Sequence, residues 1–562
     1  MTSLSPTPPA SWRRDLLWLA VGFGLLYFLF LGRAPLDYKD EGRYAEIPRE
    51  MVAAHDWVTP RLDGIDYFEK PPLMYWAVAA CLEFFGPGET SMRAAPALFA
   101  VGGILLAYAA GRRLHGRAAG LASAGVLGTC LLYFGMGHIL ILDMAVSVLM
   151  SATLFCFILG VREPPAPGAW NRRRALFYGL YASAALATLA KGLIGFLLSG
   201  AVMFVWLLVF NQWRRLRPLY LPTGLLLFLA IAAPWHLLVA ARNPGWAWWY
   251  FVHEHWLRFT TNVAGRVQPW WFFLPIVLAG LFPWIGFLWP ALREGLGRWS
   301  RRRQNADAWY LATWALVVLL FFSKSQSKLV PYILPVFPPL AVLIGAWLAA
   351  PGRSRADLRR GLGIFSFGCG LLAAGVLLAV LRPGLIIKDP AQLAALRPYA
   401  WPLAAAFIAG GVIAPLLAGF GRKALLGGIG VSLAAVFACL GLARPALAKP
   451  GTKALALIVA ARAQPGDEIV HYHEFFHDFL FYSGRLVDVV AFTGELEFQV
   501  DPSPAAEARE LTEAAFRRRW LGPGRIFAVV RKSDARPFFA DPAHPSYLLG
   551  QTRDHYLYSN RP

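Results

Sequence analysis

The sequence predicts an all-α polytopic membrane protein of about thirteen transmembrane helices, with interfacial helices between them and a small α/β domain at the C-terminal end. Three observations lead there. Of the 562 residues, 57% are hydrophobic and only 15% are charged, with a mean hydropathy of +0.48, which is too apolar for a soluble domain. Apolar runs long enough to cross a bilayer recur through residues 14–445. Beyond them the composition shifts, and helical and strand-like patterns alternate.

In chain order, spans are expected near 14–33, 93–111, 117–135, 140–161, 174–190, 192–210, 219–241, 270–291, 307–323, 329–350, 361–382, 400–420 and 424–445. The first follows Arg13 and Arg14 and lacks a small-residue cleavage site, so it reads as an uncleaved span. With the N-terminus cytoplasmic, the even-numbered connections collect Arg112, Arg113 and Arg117, Arg172 to Arg174, Arg214, Arg215 and Arg217, Arg301 to Arg303, Arg359, Arg360, Arg422 and Lys423. That bias follows the positive-inside rule and accounts for much of the net charge of +21 without any nucleic acid. An odd span count then places the tail outside, in a Gram-negative cell the periplasm. The five cysteines lie scattered in apolar stretches with no CxxC pair, and no disulfide is expected.

The division read here is a membrane domain over 1–445 and an outer domain over 446–562. In the tail, TKALALIVAARA and PAAEARELTEAAFRRRW read as helices, and DEIVHYH, LVDVVAF and RIFAVVRK as strands. His471, His473 and His477 could hold a metal if a strand turns into a helix there, but surface histidines beside aromatics are commoner, and they are left out of the candidate site.

Chemistry-bearing residues gather on the outer face. The first outer loop, 34–92, is long and dense in charge, as functional loops are. Within it, 41–54 carries Tyr44, Ile47 and Met51 at amphipathic spacing, and Asp40 precedes it, placed either to cap a helix or to act chemically. Asp143 sits at the outer end of a span, where an ionisable group is by default functional, with capping or an arginine partner as the plainer role. Lys191, alone in a short outer connection, either snorkels or faces an anion. The connection 242–269 offers His253, Glu254 and His255 among aromatics, without the HxxxH or HExxH spacing of a full metal set. Lys324, Lys328 and Tyr332 form a basic patch suited to phosphate or to lipid head groups.

Neither GxGxxG with a following acid nor GxxxxGK[ST] occurs, so nucleotide donors and ATP coupling are not expected. On the outer face, activated groups arrive on lipid phosphates. Transfer from such a carrier needs a carboxylate for the acceptor, cations or a metal for the departing phosphate, and a groove for a long tail.

The segments YKDEGRYAEIPREM, WVTPRLDGIDYFEKPPLMYW, SMRAAPALFAVGG and GRRLHG, and KSQSKLVPYILPVFPPLA with a gap, resemble the GT-C class of membrane glycosyltransferases over essentially the whole chain. Within that class they are most similar to the bacterial aminoarabinose transferases of lipid A, with the protein O-mannosyltransferases as relatives. The resemblance implies a GT-C fold, and inverting transfer of 4-amino-4-deoxy-L-arabinose from undecaprenyl phosphate to lipid A phosphates by a monomer in the inner membrane. It implies catalytic roles for Asp40 and Asp143, and contacts to the carrier phosphate from Arg43, Lys70, Lys191 and Tyr332. It further implies a divalent metal, with Zn²⁺ the expected ion, held by Glu69 and His253. Polymyxin and cationic-peptide resistance is the implied outcome in the cell.

An ionised lipid A phosphate hardly needs a general base, so with that acceptor Asp40 and Asp143 orient substrates or pair with the donor's amino group. With a hydroxyl acceptor, Asp40 is the base. The rival readings are a related polyprenyl-phosphate-sugar transferase acting on protein or another envelope glycan and, from another class, a lipid or solute transporter. One-sided placement of the charged motifs and the lack of an inverted repeat weigh against transport.

Overall fold

The computed structural model describes residues 11–37, 39–166, 170–257, 266–352, 354–420, 422–449, 451–492 and 509–562. The chain divides into two compact units, one of Met1–Leu31, Pro96–Pro234 and Trp256–Leu447, the other of Gly32–Ala95, Trp235–His255 and Ala448–Pro562. The second unit thus takes in the first outer loop and part of a later one together with the tail.

The protein is mostly helical and multi-pass. Among the described residues, eight helices are long and apolar enough to span a bilayer. A ninth results if Phe273–Gly280 and Ile285–Leu296, bent by 100°, form one span. Several expected spans depart from the simple pattern for local reasons. Ser11–Phe28 carries Arg13, Arg14 and Asp15 in its first turns. The 117–135 run breaks at Cys130 into Arg117–Thr129 and Leu131–Met136. Arg172–Lys191 is alanine-rich with charge at both ends, and Ile194–Phe210 has 17 residues.

In the first unit, Asp143–Arg162 packs along Arg172–Lys191, and Arg117–Thr129 along Phe337–Ala349. Small residues permit the second approach: a Cβ on Gly345 would stand 2.5 Å from the backbone nitrogen of Ser123. Buried aromatics fill the interior, with Trp206 against Tyr310 at 5.4 Å and Phe155 against Trp314 at 5.1 Å. Leu225, Leu226 and Leu229 face outward, as lipid-facing positions do.

The second unit contains a hairpin, β1 (Arg61–Leu62) with β2 (Ile65–Asp66), and a six-stranded sheet. The sheet comprises β3 (Glu468–Tyr472), β4 (Asp488–Val490), β5 (Glu510–Leu511), β6 (Ile526–Arg531), β7 (Tyr547–Gln551) and β8 (His555–Ser559) in the order β5-β4-β3-β6-β8-β7. Strands β3 to β6 pair in parallel, while β8 pairs antiparallel with β6 and β7. The three expected strands and the Lys453–Arg462 helix form as read. The second expected tail helix is shorter: it starts at Glu513, where Thr512 Oγ1 accepts from Ala515 N–H, and Glu510–Leu511 joins the sheet instead. Its beginning, 504–508, lies outside the described residues. Phe516 and Trp520 pack with Val470, Val490, Ala528 and Phe538 in the core.

Candidate active site

The helix Asp40–Ala54 carries the first set of predicted residues. Tyr44, Ile47 and Met51 are buried, as the amphipathic spacing requires. The helix lies against His477–Ser483, and a Cβ on Gly42 would stand 2.8 Å from the Cα of Asp478, so the glycine of the DEGRYAE motif answers a backbone contact. Asp40 does not cap. Lys39 holds the cap position without a side-chain cap bond, and Asp40 is the first helical residue, its side chain 61% exposed. One turn on, Arg43 Nη2 donates to Asp40 Oδ1 at 2.8 Å, while Nη1 donates to the Tyr67 hydroxyl at 3.1 Å. Burial holds the Tyr67 phenol far above its ordinary pKa, so it stays protonated. The result is an exposed carboxylate fixed by a buried guanidinium.

Two further pairs brace this helix. Arg93 grips Glu41 through Nε at 2.7 Å and Nη2 at 2.6 Å, and its guanidinium also donates to the carbonyls of Ala34 and Pro35. This bidentate, buried pair ties the DEGRYAE motif to the arginine of SMRAAP. Glu50 accepts from the backbone N–H groups of Asp63 and Gly64, at 2.6 and 2.9 Å, and burial beside Glu46 pushes its carboxyl up to about 8.

Lys70 lies in the same unit. Its Nζ donates to the Glu69 carbonyl at 2.7 Å and to Glu254 Oε2 at 3.0 Å, and the Glu69 carboxylate lies 4.0 Å away. Glu254 Oε1 is 3.5 Å from His253 Nδ1, and the His253 ring stacks on Trp249 at 4.0 Å. These residues come from Trp249–Leu257, a π-helix whose wide turn sets the two rings one above the other. The remainder of that connection, 258–265, lies outside the described residues.

The expected metal set fits only in part. His253 Nδ1 is buried without a hydrogen-bond partner, as a nitrogen awaiting a ligand would be. Yet the described residues contain no group of three His, Cys, Asp or Glu side chains able to hold an ion, and the Lys70 ammonium sits between the Glu69 and Glu254 carboxylates. Glu69 and His253 therefore supply at most part of a coordination shell, which substrate oxygens would have to complete.

In the first unit, Asp143 begins its helix and Lys191 ends the neighbouring one, each charge at the helix end whose dipole favours it. Lys191 Nζ pairs with Asp143 Oδ1 and lies 4.3 Å from the centre of the Tyr332 ring. The pair is 15% and 12% exposed. Three residues far apart in sequence, each singled out there, thus meet, and Asp143 has a lysine rather than an arginine partner.

Other readings are corrected. Lys328 is no part of a basic patch: its ammonium is buried and donates to the carbonyls of Gln268 and Ser325. The tail histidines are not surface groups beside aromatics throughout: His471 and His477 are both buried and close enough to act on each other's charge. His471 Nδ1 accepts from Phe476 N–H inside the core, while His473 pairs with Glu513. The cysteine reading stands uncorrected: all five are free.

Residues 69–238 match the dolichyl-phosphate-mannose-protein mannosyltransferase family. The chain is similar to the undecaprenyl phosphate-α-4-amino-4-deoxy-L-arabinose arabinosyl transferases of Edwardsiella ictaluri (33% identity over 373 residues, 66% of each chain) and Erwinia tasmaniensis (32% over 381 residues, 67% of each). The alignments thus span about two thirds of the length of these curated relatives. The fold is similar to that of ArnT from Cupriavidus metallidurans bound to undecaprenyl phosphate, with a TM-score of 0.83, 30% identity and 98% of both chains covered. An archaeal oligosaccharyltransferase, AglB from Archaeoglobus fulgidus, shares the fold alone, with a TM-score of 0.50 and 12% identity over 93% of this chain and 69% of that one.

Proposed function

The chain belongs to the undecaprenyl phosphate-α-4-amino-4-deoxy-L-arabinose arabinosyl transferase family, and from that premise we propose that it moves aminoarabinose from undecaprenyl phosphate to the phosphates of lipid A. The observation that carries this reading is the likeness over 98% of both chains to a protein bound to undecaprenyl phosphate, joined to the two cations, Lys70 and Arg43, that carboxylates hold in place in the second unit. The reaction is assigned to the periplasmic face of the inner membrane, because the charge bias of the alternating loops puts the first outer loop and the tail there.

In the transfer, the bond from the anomeric carbon to the carrier phosphate breaks, its electron pair passing to the phosphate oxygen. An acceptor phosphate oxygen forms the new bond from the opposite face, so the configuration inverts. Lys70, Arg43 and Lys191 stabilise the charge gathering on the carrier phosphate. Asp40 and Asp143 orient substrates, since an ionised acceptor phosphate needs little proton removal. Tyr332 lines the carrier-phosphate contact beside Lys191. Glu69 and His253 would hold a divalent metal, which supplies Lewis-acid stabilisation of phosphate oxygens when bound.

The mannosyltransferase match over 69–238 favours a second reading, transfer of a polyprenyl-phosphate sugar to a hydroxyl, with Asp40 as base. Purified protein supplied with undecaprenyl-phosphate aminoarabinose and either lipid A or a hydroxyl acceptor decides between them. The proposal requires a glycosylated lipid A phosphate; product from the hydroxyl acceptor alone would replace it with the second reading.

A further inference from the structure

We infer that Glu254 is a positioning residue for Lys70, fixing the direction in which its ammonium meets the carrier phosphate. This rests on the assignment of Lys70 to that phosphate. A lysine ammonium has three donors on a flexible four-carbon stem, so it meets an anion in one direction only if something else holds it. Here two of the donors are committed inside the protein, one to the Glu69 carbonyl at 2.7 Å and one to Glu254 Oε2 at 3.0 Å. The tetrahedral geometry of the ammonium then sets the direction of the third.

The clamp is itself well held. The Glu254 side chain is 4% exposed, against 17% for Lys70. Its second oxygen lies 3.5 Å from His253 Nδ1, close but not hydrogen-bonded, and that ring is stacked on Trp249, so the carboxylate has a packed wall on that side. On the other side, Pro71 follows Lys70 directly and restricts its backbone. Glu254 lies 184 residues from Lys70 and in no motif with it, yet the contact explains why a carboxylate occupies a nearly closed position beside a needed cation.

The test is equilibrium binding of undecaprenyl phosphate to the purified full chain, with the melting temperature of each variant measured in parallel. Lys70→Ala, Glu254→Ala, Glu254→Gln and the double variant Lys70→Ala/Glu254→Ala are compared with wild type. Glu254→Ala should weaken binding about tenfold, the scale of one hydrogen bond to a charged group. Glu254→Gln keeps an acceptor oxygen toward Lys70 and should restore most of the affinity. The double variant should bind no more weakly than Lys70→Ala, because the glutamate acts through the lysine.

Normal binding by folded Glu254→Ala alongside weak binding by Lys70→Ala overturns the positioning role and leaves the phosphate assignment standing. A double variant whose loss is the product of the two single losses also overturns it. Normal binding by Lys70→Ala removes the phosphate assignment itself, and the inference with it. If Glu254→Ala does not fold, Glu254→Asp, which withdraws the carboxylate by one methylene, takes its place with the same criteria.

Discussion

Replacing Asp40 by Asn separates chemistry from architecture at the residue on which the mechanism turns. The carboxylate does not cap its helix and is 61% exposed, and among the described residues its ion-pair partner is Arg43, at 2.8 Å. A pair so open to water contributes up to about 1 kcal/mol, and the favourable placement of a negative charge at a helix start about 0.3–1 kcal/mol. Asn keeps an oxygen for Arg43, so the variant should lose only a small part of its stability. Removing a group that acts as a base, or that fixes the reacting partners, costs about 10²–10⁴-fold in rate, or about 3–5 kcal/mol in the barrier. The measurement is initial-rate transfer by purified Asp40→Asn protein from undecaprenyl-phosphate aminoarabinose to lipid A, with a thermal melt of the same sample. Near-complete loss of transfer with an almost unchanged melt is expected. A wild-type rate from folded protein would refute the role given to Asp40. The pH dependence of any residual rate divides the two chemistries: a flat profile between about pH 6 and 8 fits orientation of an ionised phosphate, and a wild-type rate that rises with pH while the residual rate does not fits a base.

Lys191→Met leaves the Asp143 carboxylate, 12% exposed, without its partner, so it should lower stability by about 3 kcal/mol in denaturant or thermal unfolding as well as reduce transfer; an unchanged melt would deny the pair its structural weight. Glu69→Ala and His253→Ala should each lower the metal content of purified protein, read by elemental analysis, and equal content in both variants and wild type would exclude this ligand pair. Glu50 supplies a pH signature. Its folded pKa, raised from the ordinary glutamate value of 4.5 to about 8 by burial and by Glu46, means that charging it opposes folding. Its stabilising share is therefore complete below about pH 4.5 and is lost as pH rises through about 8. Glu50→Gln lacks this loss, so the stability difference between the variant and wild type should shift in the variant's favour as pH increases across that window. A pH-independent difference would contradict the assigned shift.

Much of this was legible in the sequence because it depends on local pattern. Asp40 and Arg43 are three apart on one helix and had to share a face. Asp143 and Lys191 stood out as isolated charges in apolar stretches, and helix ends bring them together. What depends on distant partners was not legible. Glu254 was visible only as one acid among aromatics until Lys70 appeared 184 residues away, and Arg93 became meaningful through Glu41, 52 residues before it. A signal for Arg93 did exist, since an arginine at the head of an apolar run needs an acid somewhere. Helix breaks at Cys130 and at the 100° bend after Gly280 escaped the hydropathy pattern, which records apolar length and not where a helix stops. Capping by Asp40 failed because Lys39 took the cap position, a difference of one residue that pattern alone does not resolve.

Mass spectrometry of lipid A tests the central claim most directly. A bacterial strain lacking its own aminoarabinose transferase but able to make undecaprenyl-phosphate aminoarabinose would express either this chain or its Asp40→Asn variant, at equal membrane levels. The account predicts lipid A carrying aminoarabinose on its phosphates with the wild-type chain, and unmodified lipid A with the variant. Unmodified lipid A in both strains, with wild-type protein folded in the membrane and donor present, would contradict it.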